Sequence, residues 1–462
     1  METTEPLLLT YDRGTVVLTA GPTGFDCTTL PGVLFDPRTT SWRAQGRYYR
    51  QIVEALVRGK ITFTDEARGW PKEPCGWNLS NKREPFPHQR EALETWWNTG
   101  ARGTVVLPTG TGKTFVAVLA IHKANRPALI VTPTIDLMNQ WYAELKDIFQ
   151  TEVGLLGGGY YDFQPLTVTT YDSAYIHLER WGNKYGLLIF DEAHHLPGAT
   201  YQEAAIGALA PFRMGLTATP ERADGGEAML PQLIGPIVYR REIAELSGDY
   251  LADYRTIQLY VDLTIEEEEM YRKCREEYRR FITDHNIPLG GANGWQKFIF
   301  EASRTPDGWA AMKAYREQKR IERQASGKFT ALEDLLKKHA GERALIFTAD
   351  NATVYEIARR YLVPAITHQT KIKERKQILE RFHSGEYSVL VTSQVLNEGV
   401  DVPAASVGVV LSGSGSIKEN VQRLGRILRK YKDKQAVLYE VVARGTAEEF
   451  VSERRRQHGA FQ

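Results

Sequence analysis

The feature that most constrains this chain is Pro108-Thr109-Gly110-Thr111-Gly112-Lys113-Thr114, set directly after the apolar run Thr104-Val105-Val106-Leu107. A strand that turns through glycines into a helix is the local geometry of a parallel α/β sheet. The glycines let backbone N–H groups approach phosphate oxygens, and the following helix adds its positive amino end. In this reading Gly110, Thr111 and Gly112 cradle phosphates, Lys113 neutralises the β and γ phosphates, and Thr114 offers magnesium a hard hydroxyl ligand. The generic loop has glycine where this chain has Leu107, and a bland Gly-rich turn is the competing reading of the heptapeptide alone.

The surrounding pattern extends the α/β reading. From Pro87 to about Arg240, short apolar runs (TVVL, ALIVT, LTVTT, LLIF) alternate with helix-length amphipathic segments, which predicts a first parallel-sheet domain over 83–245. Residues 1–82 open with LLLTY, a turn at Asp12-Arg13-Gly14 and TVVLT, a β-hairpin pattern, followed by YYRQIVEALVRG and ITFTD; they predict a small α/β module. Residues 265–325 are rich in charge and helical periodicity, broken at Gly290, Gly291 and Gly294, and predict a helical protrusion. Alternation resumes with ALIFTA, SVLVTS, VGVVLS and AVLYEVV, so 246–264 and 326–462 form a second parallel-sheet domain and its connection. Ligands of such sheets bind at the carboxyl ends of the strands.

Beyond the glycine loop, LLIF delivers Asp191-Glu192-Ala193-His194 at a strand end. This arrangement lets Asp191 hold magnesium through water while Glu192 polarises an attacking water; taken alone, the acids also fit a solvated helix start. Order and spacing relative to the phosphate loop favour the catalytic reading. His195 reads as a loop neighbour. Towards the carboxyl end, Gln422-Arg423-Leu424-Gly425-Arg426-Ile427-Leu428-Arg429 puts Arg426 and Arg429 on one helix face, as arginine fingers for a phosphoryl group or as a surface basic helix.

Composition narrows the class. The 462 residues exceed one ordinary core, and 42% hydrophobic with 25% charged residues is a globular balance. No apolar run is long enough for a membrane span, and METTEPLLLTYDRG lacks a basic segment followed by an apolar one, so a cytoplasmic or, in a eukaryote, nuclear location is expected. Cys27, Cys75 and Cys274 lack paired spacing, which indicates neither a disulfide framework nor a zinc or iron–sulfur site. With 58 basic against 57 acidic residues, a nucleic-acid partner must be held by local basic surfaces.

The three motifs, together with Thr217-Ala218-Thr219 and Val395-Leu396-Asn397-Glu398-Gly399-Val400-Asp401, resemble superfamily 2 helicases in identity, order and spacing. Within that superfamily Thr169–Tyr175, Pro364–His368 and Leu411–Ser416 resemble segments of archaeal and bacterial XPB helicases. The resemblance implies two recA-like domains in tandem with ATP and Mg2+ in the cleft between them, a damage-recognition-like domain at the amino end, and a thumb at the helical protrusion. It implies ATP-dependent 3'–5' movement on DNA and duplex opening in nucleotide excision repair or transcription-linked repair. It assigns Glu192, His194, Gln422, Arg426 and Arg429 to catalysis, Gln89 to the adenine edge, Asp401 to the nucleotide, and Thr217, Thr219 and Gly399 to coupling.

The family carries an Arg-Glu-Asp loop where this chain has Arg222-Ala223-Asp224, a departure that leaves translocation without robust strand separation as an alternative; Arg222 and Asp224 remain DNA-contact candidates. Thr134, Thr170, Thr348 and Thr392 stand at matching positions for phosphate contact. Arg316, Lys319, Arg320 and Arg323 share a helix face and read either as a phosphate stripe or as a solvated surface. Trp42, Tyr48 and Tyr49 can stack on bases, although aromatic residues of small modules more often fill the core.

The resemblance also suggests a Bax-type nuclease partner. Competing readings are a double-stranded DNA translocase, an RNA helicase with the same ATP motifs, and a non-hydrolysing DNA-binding scaffold. An XPD-type helicase is disfavoured because three cysteines cannot supply its four-cysteine iron–sulfur site.

Overall fold

The computed structural model describes residues 5–19, 21, 25–80, 83–222, 224–248, 250–288, 292–393, 405–413 and 435–455, and these described residues form three sheets. The chain divides into two units, residues 1–242 and 243–462. Asp401, Gly399, Gln422, Arg426, Arg429 and Ala223 lie outside the described residues.

The first sheet contains β1 (Leu7–Asp12), β2 (Thr15–Thr19), β3 (Leu34–Asp36), β4 (Ser41–Gln45) and β5 (Phe63–Asp65) in the order β3-β4-β2-β1-β5. The β1–β2 hairpin closes through Arg13 and Gly14, at φ 46° and 88°. Positive φ at both turn residues matches the right-handed strand twist, which is why Asp-Arg-Gly ends one strand and starts the next. The helix Tyr49–Arg58 covers the sheet with Ile52 and Leu56, both wholly buried, each contributing about 2 kcal/mol of apolar burial. Tyr49 belongs to this core, with its hydroxyl donating to Asp65 at 2.6 Å, while Trp42 and Tyr48 pack against its edge.

The second sheet holds β6 (Arg102–Val106), β7 (Ala128–Thr132), β8 (Gly154–Gly157), β9 (Tyr160–Tyr161), β10 (Leu166–Thr170), β11 (Leu187–Asp191), β12 (Phe212–Thr217) and β13 (Ile237–Arg240). Their order is β13-β6-β12-β11-β7-β10-β8-β9, parallel except for β9. Strands β7, β10 and β11 are buried along their whole length, as expected for a parallel sheet with both faces covered. The amino-terminal module is docked on this domain. Leu209 joins its core, the Tyr11 hydroxyl donates to the carbonyls of Leu178 and Gly207, each at 3.3 Å, and Asn183 Nδ2 donates to Ala67 O at 3.0 Å. Glycine is required at the seam: a Cβ at Gly46 would lie 2.3 Å from Gly207 O.

In the second unit, β14 (Asp253–Val261), β15 (Ala344–Phe347), β16 (Ala365–Ile366), β17 (Val389–Thr392), β18 (Val407–Val410) and β19 (Gln435–Ala443) form an all-parallel sheet ordered β14-β19-β18-β15-β17-β16. The charge-rich segment forms helices Ile265–Asp284, Ala292–Ala302 and Pro306–Gln324 around Phe281, Phe298 and Ala311. Its first helix starts where Thr264 and Glu267 form a reciprocal capping box, and its third at Thr305 with Pro306 behind it. A buried ion pair, Lys328 Nζ to Glu448 Oε2 at 2.5 Å, ties the helix Ser326–Lys338 to the carboxyl-terminal segment.

Candidate nucleotide site and its surroundings

β6 ends at Val106 and the helix Lys113–Ala124 begins after six intervening residues, so the loop between them closes tightly at the carboxyl end of the sheet. Gly110 and Gly112 hold φ of 90° and 83°, a region that costs a side-chain-bearing residue roughly 1 kcal/mol or more. Space is a second constraint, because a Cβ at Gly112 would lie 2.3 Å from Gln89 Nε2. Gln89 is wholly buried, and its Nε2 donates to Thr111 O at 2.9 Å while its Oε1 accepts from Phe86 N at 3.0 Å. Both ends of the Gln89 amide are engaged inside the protein in this structure, where they prop the loop. His88 Nε2 reaches the same Thr111 carbonyl at 2.9 Å. Lys113 Nζ donates to Leu107 O at 3.1 Å, and Thr114 is the second, half-buried residue of the helix.

Two strands away, β11 presents Asp191 and Glu192, with β12 between them and the loop strand. Asp191 is buried; the Trp141 indole N–H donates to its Oδ2 at 2.7 Å, and the Glu192 N–H to its Oδ1 at 3.0 Å. Burial and then the neighbouring Glu192 push the Asp191 carboxyl up to about 6, against the opposing pull of the Trp141 bond and of Lys113. Glu192 adopts φ 48°, which turns the chain sharply after the strand. Its Oε2 is buried, lies 3.5 Å from His194 Nδ1 and has no hydrogen bond among the described residues. Thr109 Oγ1, on the phosphate loop, is likewise buried without a partner. The Lys113 ammonium and the two carboxylates fit a magnesium–nucleoside triphosphate, and Thr109 Oγ1 and Glu192 Oε2 would each gain a bond there that the described residues leave unmade.

The Thr217 hydroxyl, at the end of the intervening β12, lies 3.0 Å from His194 Nδ1 and donates to Thr219 O at 3.1 Å. Arg222 Nη1 donates to His194 O at 2.5 Å, and the same guanidinium grips Asp224 bidentately at 2.8 and 2.6 Å. Both DNA-contact candidates of that loop are therefore bonded to each other. Asp224 sits well below the usual carboxylate range because of this bond.

Other expectations meet mixed outcomes. Thr134 and Thr170 each cap a helix amino end at neighbouring strand ends, accepting from Leu137 N at 3.2 Å and Ser173 N at 3.3 Å. Thr348 and Thr392 are wholly buried, and their hydroxyls donate to Asp350 O at 3.0 Å and Ser393 O at 3.1 Å. Thr392 ends β17 and Thr348 directly follows β15, and both side chains are buried in this structure. The basic stripe is also largely neutralised. Lys319 bonds Glu322 at 2.6 Å, Arg320 bonds Glu317 at 2.7 Å and Arg323 bonds Asp350 at 3.2 Å, while Arg316 reaches only Met312 Sδ at 3.5 Å among the described residues.

Sequence reasoning missed two participants, Trp141 and Arg83, and a buried arginine at the far end of the sheet. Trp141 carries no signal as a carboxylate partner fifty residues from Asp191. Arg83, whose guanidinium lies 4.6 Å from the Phe115 ring centre, stands beside the phosphate loop, and its charge next to the loop was the available clue. Arg213, wholly buried at the start of β12, donates to the carbonyls of Ala205, Ala208, Ala210 and Leu233 at 2.6 to 3.2 Å.

Family comparisons agree with this layout. Residues 9–67 match the Xeroderma pigmentosum group B helicase damage recognition domain, 82–222 the Type III restriction enzyme, res subunit, and 327–431 the helicase conserved C-terminal domain. A relative from Sulfurisphaera tokodaii, called DNA 3'-5' translocase XPB2, is 38% identical over 92% of this chain and 96% of its own length. The chain belongs to the XPB family. A Mycobacterium tuberculosis XPB-family protein, called DNA 3'-5' helicase XPB, is 30% identical over 88% of this chain and 71% of its own. The Pyrococcus furiosus Hef helicase domain superposes with a TM-score of 0.54 at 20% identity, covering 80% of this chain and 98% of that domain, a likeness of fold. The tandem α/β architecture is that of superfamily 2 helicases. No helix among the described residues is long and apolar enough to cross a membrane.

Proposed function

We propose that this XPB-family chain is an ATP-hydrolysing DNA helicase and translocase that moves 3'–5' and acts in nucleotide excision repair or transcription-linked repair. The observation that carries it is the convergence of Lys113, Asp191 and the orphaned Glu192 Oε2 at the carboxyl end of one parallel sheet. Gly110, Thr111 and Gly112 hold the phosphates by backbone N–H groups, and Lys113 adds the charge that binds the terminal ones. Thr114 and Asp191 would hold magnesium, which would neutralise phosphate charge. Glu192 orients the attacking water and takes up its proton, with His194 3.5 Å away. The pair His194–Thr217 couples this chemistry to Thr219, just past the strand end, and Arg222 grips the His194 carbonyl. Arg426 and Arg429 supply the remaining positive charge and Gln422 a neutral amide donor, with Asp401 on the nucleotide and Gly399 in the coupling. The cofactors are ATP and Mg2+, and the setting is a prokaryotic cytoplasm.

A second reading, translocation along duplex DNA with weak strand separation, is favoured by one observation. The Arg222 guanidinium is closed on Asp224 and the His194 carbonyl. Two assays separate the readings: ATP-driven displacement of a third strand from a triplex, and strand release from a 3'-tailed duplex. Displacement with release supports the helicase, and displacement alone the translocase. Neither activity in the wild-type chain would refute both. A Bax-type nuclease partner rests on the family resemblance and is tested by co-elution from a sizing column.

A further inference from the structure

At the opposite end of the second sheet from the nucleotide site lies a cavity of about 360 Å³, lined by Arg47, Tyr48, Gln51, Arg102 and Gln232 and floored by Gly235. It sits on the seam between the amino-terminal module and the first parallel-sheet domain, within one unit. Arg102 is the first residue of β6, and the phosphate loop leaves the other end of that strand, ~17 Å away at about 3.3 Å per residue. This cavity is therefore a separate place from the ATP site.

Its charge is unbalanced. No aspartate or glutamate is among its described lining residues. Arg102 is held down to about 10 by burial and by the neighbouring Arg50 and Arg47, with Glu54 opposing. Arg213 is lowered by burial and by Arg102 and Arg47, so four guanidinium groups repel one another here. Two of them are satisfied. Arg213 bonds four carbonyls, and Arg50 is bonded to Glu54 at 2.7 Å and to Gly100 O at 2.5 Å.

The two that line the cavity are not. Among the described residues Arg102 makes one hydrogen bond, from Nε to Ile234 O at 3.2 Å. Arg47 makes one weak bond, to the Tyr48 hydroxyl at 3.4 Å, and its Nε is buried with no partner. A buried guanidinium nitrogen left unbonded costs free energy that an anion would recover. The helix Tyr49–Arg58 begins at the same wall with no side-chain cap and no acid in its first turn, which adds its positive end to the field. Exposed Gln51 and Gln232 bring amide donors from two further sides.

We infer that this cavity is a second anion site, which takes a phosphate group between the guanidinium forks of Arg47 and Arg102. Donors converging from several directions suit a tetrahedral oxyanion better than a planar carboxylate, and guanidinium forks bind phosphate oxygens in pairs. The phosphate comes either from a nucleic-acid backbone crossing the seam or from a free polyphosphate. A backbone phosphate here would hold the amino-terminal module and the motor domain to the same stretch of DNA.

The test uses the full chain carrying Lys113→Ala, which silences the ATP loop, and compares it with Arg47→Gln and Gln232→Glu added separately. Titration calorimetry with inorganic pyrophosphate reads the free anion, and fluorescence anisotropy of a labelled duplex across a salt series reads the backbone. A free-phosphate site shows pyrophosphate binding that falls at least 10-fold in both variants while duplex binding is unchanged. A backbone site shows duplex affinity falling about 5-fold or more and a salt slope smaller by about 0.9 for the lost contact. Should Arg47→Gln melt early, the exposed Gln232→Glu change decides. No pyrophosphate binding at millimolar concentration, together with duplex affinity and slope unchanged in Gln232→Glu, overturns the inference.

Discussion

Asp191 sets a conflict between stability and function whose sign can be worked out. Its carboxyl is pushed from the ordinary 3.8 up to about 6, chiefly by burial and then by Glu192. A raised folded value means that the folded state keeps the proton longer than the unfolded one. The cost of ionisation is thus absent below about pH 3.8, grows through the window up to about 6, and is complete above it. About two pH units at 1.36 kcal/mol each give roughly 3 kcal/mol in the nucleotide-free protein, an upper figure because the charge can relax. Asp191→Asn keeps an oxygen for the Trp141 indole and removes the charge. It is expected to be about 1–3 kcal/mol more stable than the wild-type chain at pH 8, with the gap closing between pH 6 and pH 4. Urea unfolding followed by Trp fluorescence, without magnesium or nucleotide, measures this difference. A variant less stable than wild type at pH 8 would refute the reasoning and make the carboxylate a net stabiliser.

Three further outcomes follow from individual contacts. Gly112→Ala forces φ 83° on a side-chain-bearing residue and drives a methyl into Gln89, so the KM for ATP should rise about 10-fold or more with the fold intact by circular dichroism. Gly46→Ala puts a Cβ 2.3 Å from Gly207 O and should cost about 1–3 kcal/mol, seen as a lower Tm and earlier proteolytic release of the amino-terminal module. Arg213→Met removes four hydrogen bonds from buried carbonyls and should destabilise by about 2–5 kcal/mol, read by the same melts; a neutral result would mean that relief of the buried charge offsets the lost bonds.

What the sequence made legible was local. A strand that turns through Gly110 and Gly112 into a helix, and another that ends in Asp191-Glu192, announce their geometry within a dozen residues, and the hairpin at Arg13-Gly14 does the same. What it did not reveal depended on distant partners. Thr348 and Thr392 stand where hydroxyls can meet DNA, but whether a strand-end side chain faces out or into the sheet is decided by β15 pairing with β17 across more than forty residues. In the helix stripe Arg316–Arg323 the partners Glu317 and Glu322 stand at i,i+3 in the same helix, but the pairing of Arg323 with Asp350, from a different helix cap, has no local signal. Gln89 carries the right amide for adenine, yet its burial against Thr111 is a tertiary contact with no local signal. Arg213 and Arg102 look like ordinary strand-start residues, and only the register of β6 on β12 brings the two guanidinium groups together.

The most direct test of the central claim is ATP turnover with and without single-stranded and forked DNA, with Lys113→Ala and Glu192→Gln as controls. The account predicts turnover that rises at least several-fold with DNA. It also predicts a fall of about 100-fold or more in both variants, while Glu192→Gln still binds nucleotide because it removes only the water-orienting carboxylate. Turnover by the Lys113→Ala or Glu192→Gln chain at the wild-type rate, or none by the wild-type chain on any DNA, would contradict it.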